Sequence, residues 1–143
     1  MDILNSFKIS SSALKAQSIR LNTISSNLAN IETTSTPEGG PYKKKSVYFQ
    51  STPLSFKEQL NAQVKGNLQG VEVTKIIEDK TPAKKVYNPS HPDADKNGYV
   101  EMPNISVLEE MVDMMSATRS YQANVTAIKS AKRMALKALE IGR

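Results

Sequence analysis

Apolar residues in the last quarter of the chain repeat on a helical step. Met114, Val125 and Leu136 recur at eleven residues, as do Ala117, Ile128 and Leu139, with Tyr121 between the two rows. An eleven-residue step is about 3.67 residues per turn, so such a stripe stays on one helix face with little drift. Ser106-Val107-Leu108-Glu109 reads as a capping box. Glu109, Glu110 and Asp113 then occupy the early turns, and Lys129, Lys132, Arg133, Lys137 and Arg143 the late ones, as the helix dipole favours. No proline or glycine interrupts the run before Gly142. The spacing predicts one helix over 105–143, roughly 58 Å long at about 1.5 Å per residue. A domain of this size is about 30 Å across, so a helix that long requires another lying along it.

Residues 3–30 supply the partner. Phe7, Leu14, Leu21 and Leu28 recur every seven residues, and Ile3, Ile24 and Ile31 fall on a companion seam that Ser10 and Gln17 interrupt. The heptad pattern predicts a coiled-coil surface for the C-terminal helix and for neighbouring molecules. The plainer reading is an amphipathic helix on a small core. The two steps differ, seven against eleven, so one smooth supercoil along the whole pair is not expected.

Between the helices, the stretch TTSTPEGGP at 33–41 breaks the pattern. Strand character falls at 42–50, 71–79, 84–87 and 98–102. Leu54, Leu60 and Val64 mark a short helix within 54–65. The expected fold is mainly α with a small β-rich middle: long N- and C-terminal helices paired as a coiled coil, and a short-stranded central insertion. The expected division is 1–32, 33–104 and 105–143.

Composition narrows the function. Hydrophobic residues make up 38%, with no Trp and three Phe, so a large self-sufficient core is not expected. The net charge of +5 and pI near 9.4 admit acidic partners, but the bases are dispersed. Lys8, Lys15 and Arg20 read as a solvated helix face, and Lys43, Lys44 and Lys45 beside Tyr42 and Tyr48 as a guarded strand edge. Neither carries a groove-reading motif, so no nucleic-acid partner is expected. The absence of cysteine removes disulfides, thiolate metal sites and cysteine nucleophiles. The first residues lack the layout of a secretory signal, and no apolar run is long enough to cross a membrane, so neither a cleaved signal nor direct membrane insertion is expected.

One apparent site dissolves on inspection. Asp93-Ala94-Asp95-Lys96-Asn97-Gly98 matches the first half of a calcium loop, but Asn104 stands where the bidentate carboxylate belongs. Pro89, Pro92 and Pro103 also oppose the flanking helices. His91 is the only histidine. No metal, cofactor or catalytic residue is therefore assigned, and no enzymatic activity is expected.

Three blocks of sequence together resemble the bacterial flagellar rod and hook axial protein family. The first is Ser11-Ser12-Ala13-Leu14-Lys15-Ala16-Gln17, continuing to Ile24-Ser25-Ser26-Asn27-Leu28-Ala29-Asn30. The second runs from Thr33-Thr34 to Gly39-Gly40-Pro41-Tyr42-Lys43-Lys44. The third runs from His91-Pro92-Asp93-Ala94-Asp95 through Gly98-Tyr99-Val100 to Met102-Pro103-Asn104. The last two are closest to a proximal-rod member. Glu110-Met111-Val112-Asp113 and Arg119-Ser120-Tyr121-Gln122-Ala123-Asn124-Val125 look like the C-terminal signature. One departure is Ile31, where the wider family often has a small residue.

The resemblance implies a structural subunit of the flagellar basal body, exported unfolded by the flagellar type III apparatus without a cleaved signal. Copies of it and other rod proteins would assemble helically across the periplasm to transmit torque. The expected assembly interface is Phe7, Leu14, Leu21, Ile24, Asn27, Leu28 and Asn30 on the first helix. On the second it is Met114, Tyr121, Asn124, Val125, Ile128 and Leu136. The runner-up is a helical adaptor for a single protein partner.

Overall fold

The computed structural model describes residues 3–51 and 69–141, so the short helix expected over 54–65 lies outside it. Helix α1 spans Ile3–Ala29 and helix α2 spans Val107–Ile141, 27 and 35 residues. Between them lie β1 (Lys45–Ser51), β2 (Val71–Glu78), β3 (Lys84–Tyr87) and β4 (Tyr99–Met102). The fold is mainly helical with a small β insertion.

The helices pack on each other and run antiparallel. Asn27, near the end of α1, meets Glu110 near the start of α2, and Arg20, about two turns back along α1, meets Asp113, about one turn on along α2. The residues that close the pair are small or polar. Ala16, Thr23, Ile24 and Asn27 are buried on α1, and Glu110, Ala117 and Ala131 on α2, with Ala117 fully covered. On α2 the covered positions are seven apart, 110, 117 and 131, with half-buried Asn124 completing the series. This corrects the eleven-residue stripe. Met114, Val125 and Ile128 are half-buried, but Leu136 and Leu139 are 52% and 71% exposed. Alanines let two helix backbones approach closely, and bulkier side chains are displaced to the flanks of the contact.

The same displacement places the Phe7-Leu14-Leu21-Leu28 row. At about 100° per residue these four lie roughly 100–160° around α1 from Asn27. All four are half-buried.

Each strand sits where expected, but in two separate two-stranded antiparallel sheets. In the first, Lys45 lies opposite Glu78 and Ser51 opposite Val71, with a bulge between Tyr48 and Phe49. The Val71 amide donates to the Ser12 hydroxyl at 3.0 Å, fixing β2 on α1. In the second, Lys84 lies opposite Met102 and Tyr87 opposite Tyr99. Val100 is its one fully covered side chain among the described residues.

The loop between β3 and β4 uses the half-matched calcium motif as a turn. Asp95 Oδ1 accepts the amides of Asn97 at 2.7 Å and Tyr99 at 3.0 Å. The Tyr99 and Asn97 amides hold this carboxyl below its usual range. Gly98 has φ +79°, and a Cβ there would stand 3.0 Å from the Tyr87 ring, so both conformation and space require glycine.

Candidate assembly interface

The end of the helix pair is locked by one asparagine. Asn27 Nδ2 donates to the Lys45 carbonyl at 2.9 Å and to Glu110 Oε2 at 3.0 Å. Its Oδ1 accepts the Lys45 amide at 2.9 Å and the Tyr42 hydroxyl at 3.2 Å. An amide has two donors and two acceptor positions, and all four are used. Pairing with both backbone groups of Lys45 imitates a neighbouring strand, which is how α1 receives the start of β1. Tyr42 gives its proton to Asn27, so Ser26 is the donor in the 3.3 Å contact between their hydroxyls.

Glu110 is 1% exposed. Its second oxygen faces Lys44 Nζ at 2.8 Å, an ion pair whose angle falls short of a well-aligned hydrogen bond. The contact with Glu110 raises the Lys44 ammonium above its ordinary value, against the opposing effect of burial. Arg20 and Asp113 pair at 3.0 Å beside it. Arg20 and Lys44 thus depart from the solvated roles expected of them, because each meets a carboxylate on α2. Lys43 remains exposed, and Lys45 lies 5.8 Å over the Tyr42 ring.

Other expected interface residues divide by environment. Ile24 and Asn27 are closed by the chain's own packing. Asn30 Nδ2 donates to the Ser26 carbonyl at 2.8 Å, which also accepts the Asn30 backbone amide at 3.1 Å. Asn124 bonds back to the Ser120 carbonyl at 2.9 Å. Tyr121 is 37% exposed.

The open side of the pair follows from helix geometry. Ser12, which holds β2, and Ser26, which touches Tyr42 in the loop before β1, lie about 60–100° from Asn27 in one sense around α1. The Leu14-Leu21-Leu28 row lies in the other sense. On α2, Met111, Met114, Val125 and Leu136 fall about 40–100° from Glu110 on the same side of the pair. The two helices thus share an apolar flank turned away from the β1–β2 sheet. A second stripe, Leu108, Met111, Val112 and Met115, runs along the back of the first turns of α2. It is about half exposed or more throughout. Its 3–4 spacing is plain in the sequence, and the eleven-residue rows obscured it.

The second and third resembling blocks also meet: Thr34 Oγ1 donates to Asp93 Oδ2 at 2.6 Å.

Comparison with known proteins matches this architecture segment by segment. A family described as Flagella basal body rod protein matches residues 7–35. Another, described as Flagellar basal body rod FlgEFG protein C-terminal, matches residues 96–141. The flagellar basal-body rod protein FlgC of Bacillus subtilis (strain 168) is 47% identical, with all of both chains covered. That of Salmonella typhimurium is 48% identical with the same coverage. That of Borreliella burgdorferi is 42% identical over 99% of this chain and 98% of its own. The similarity extends from end to end and takes in both helices and the sheets between them, and the chain belongs to the flagellar basal-body rod protein FlgC family.

Proposed function

We propose that this structural rod protein assembles through the apolar flank of its helix pair, against copies of itself and other rod proteins, in a helical array that carries torque. The observation that supports this is the mismatch between what the fold covers and what it leaves bare. Five hydrophobic side chains and Pro103 are buried among the described residues, against fifteen large apolar ones exposed.

Neighbours would complete the cover over Phe7, Leu14, Leu21, Leu28, Met114, Val125, Ile128 and Leu136. Fully burying one such side chain contributes roughly 1.5–3 kcal/mol, and each of these has only part of that left to gain. Summed over several subunits the gain offsets the entropy of ordering helix ends. Ile24 and Asn27 act from inside, holding the subunit in the shape its neighbours meet. Segments 1–32 and 105–143 form the axial core, and 33–104 lies outside it.

The reading includes export by the flagellar type III apparatus without a cleaved signal, residence in the periplasmic part of the basal body, and no catalysis. No helix among the described residues is long and apolar enough to cross a membrane. Circular dichroism of the isolated subunit tests the ordering step. Helicity below that of α1 and α2 together is expected. Full helicity with a sharp cooperative melt in a strictly monomeric sample contradicts it.

A further inference from the structure

We propose that copies of this chain join head to tail, the bare C-terminal turns of α2 in one copy docking on the Leu108–Met115 stripe of the next. The proposal rests on the assembly reading above and names one of its contacts.

The two helices are unequal, and the antiparallel contacts show where the difference falls. Asn27 with Glu110 and Arg20 with Asp113 set Ala29 about level with the start of α2. The excess of about eight residues, roughly 12 Å, therefore projects past the start of α1 at the far end. The exposures agree. Ala131 is the last buried residue of α2 among those described, and beyond it Met134, Leu136 and Leu139 are 61%, 52% and 71% exposed. Leu139 lies on the line of the interhelical seam, within about 20° of Glu110 around the helix. It continues the seam past the first described residue of α1.

At the other end, Leu108, Met111, Val112 and Met115 are 73%, 50%, 53% and 54% exposed. From the first to the last they span roughly 10 Å of helix, close to the length of the overhang. Charge orients the match. Lys132 and Arg133 are exposed beside the overhang, and Glu109 borders the stripe with its side chain 73% exposed, whereas Asp113 is already held by Arg20 on the seam side. Lys44 reaches Glu109 only at 3.9 Å, so that carboxylate remains available. Two overhangs brought together would instead set basic side chains against each other. Different surfaces meeting head to tail without closure make a filament rather than a closed dimer.

The cysteine-free chain makes the test clean. Full-length Leu139→Cys and Leu108→Cys variants are mixed at high concentration and mildly oxidised, with sedimentation run alongside. Both positions are exposed, so neither change disturbs the subunit. The expected product is the mixed 139–108 dimer, about tenfold over either symmetric dimer. Arg133→Glu in the Leu139→Cys chain lowers its yield, and Glu109→Arg in the Leu108→Cys chain restores it. Dominant 108–108 or 139–139 dimers, or assembly in sedimentation without the mixed crosslink, overturn the head-to-tail contact and leave the assembly reading standing. A strictly monomeric chain overturns both.

Discussion

Asn27 and Glu110 stand 83 positions apart in sequence, and the side-chain amide of one donates to the carboxylate of the other at 3.0 Å inside the protein. That bond joins the two ends of the chain. It also sets the register of the helix pair, because a shift by one turn would leave both groups buried without partners. Asn27→Ala removes four hydrogen bonds and leaves the Lys45 amide and a buried carboxylate oxygen unsatisfied. A loss of about 2–4 kcal/mol is expected from urea denaturation. Asn27→Asp sets an acceptor oxygen against Glu110 where the amide donated, so its loss is expected to be larger.

Lys44 neutralises that buried carboxylate from the loop before β1. Lys44→Met is expected to cost about 2–3 kcal/mol, below the range for a fully buried pair because Lys44 is partly exposed. The pH dependence has a definite sign. In the native chain the raised Lys44 contributes stability that is present below its unfolded value of 10.5 and lost as pH rises through the folded one. A Lys44→Met deficit that does not shrink as pH rises past 10.5 contradicts the pairing.

How much was legible in the sequence depends on which residues carried the signal. Both long helices were readable, because uninterrupted runs of helix formers bounded by glycine and proline admit few alternatives. The four strands were readable from their β-branched and aromatic runs. The seam between the helices was not. It is built from Ala16, Ala117 and Ala131, which contribute little to an apolar periodicity, while the leucine and methionine rows that dominate it flank the contact. The Asn27-Glu110-Lys44 cluster was hidden for a related reason: alone, each of its residues looks like surface. The series 110, 117, 124 and 131 carried the information, in small and polar residues rather than large apolar ones.

Ala117 is fully covered in the seam. Ala117→Leu is expected to force the helices apart and cost about 1–3 kcal/mol. Ala123→Leu on the exposed side of the same helix is expected to change stability by no more than about 0.5 kcal/mol. Thermal melts of the two variants side by side check the assignment, and equal effects would place the seam elsewhere.

Gly98→Ala meets a positive φ and the Tyr87 ring together. A loss of about 1–3 kcal/mol, localised to the β3–β4 sheet, is expected in hydrogen exchange. The Asp95 turn contributes stability that is present above its unfolded value of 3.8 and lost as pH falls through its lowered folded value. Asp95→Asn keeps an acceptor oxygen and removes that acid dependence.

Leu28→Asp places a charge on the shared apolar flank while sparing the Asn27 cluster. The variant subunit is expected to be made and exported, yet to abolish rod assembly, read as loss of swimming in a strain relying on it. Normal motility would remove the flank from the interface.

Labelling the flank directly tests the central claim. Met111→Cys and Leu136→Cys, at positions 50% and 52% exposed in the subunit, are probed with a maleimide in the free protein and in purified basal bodies. Fast labelling of the free protein and protection in the rod are predicted at both sites. Equal labelling in the two states would mean that no neighbour covers the helix pair.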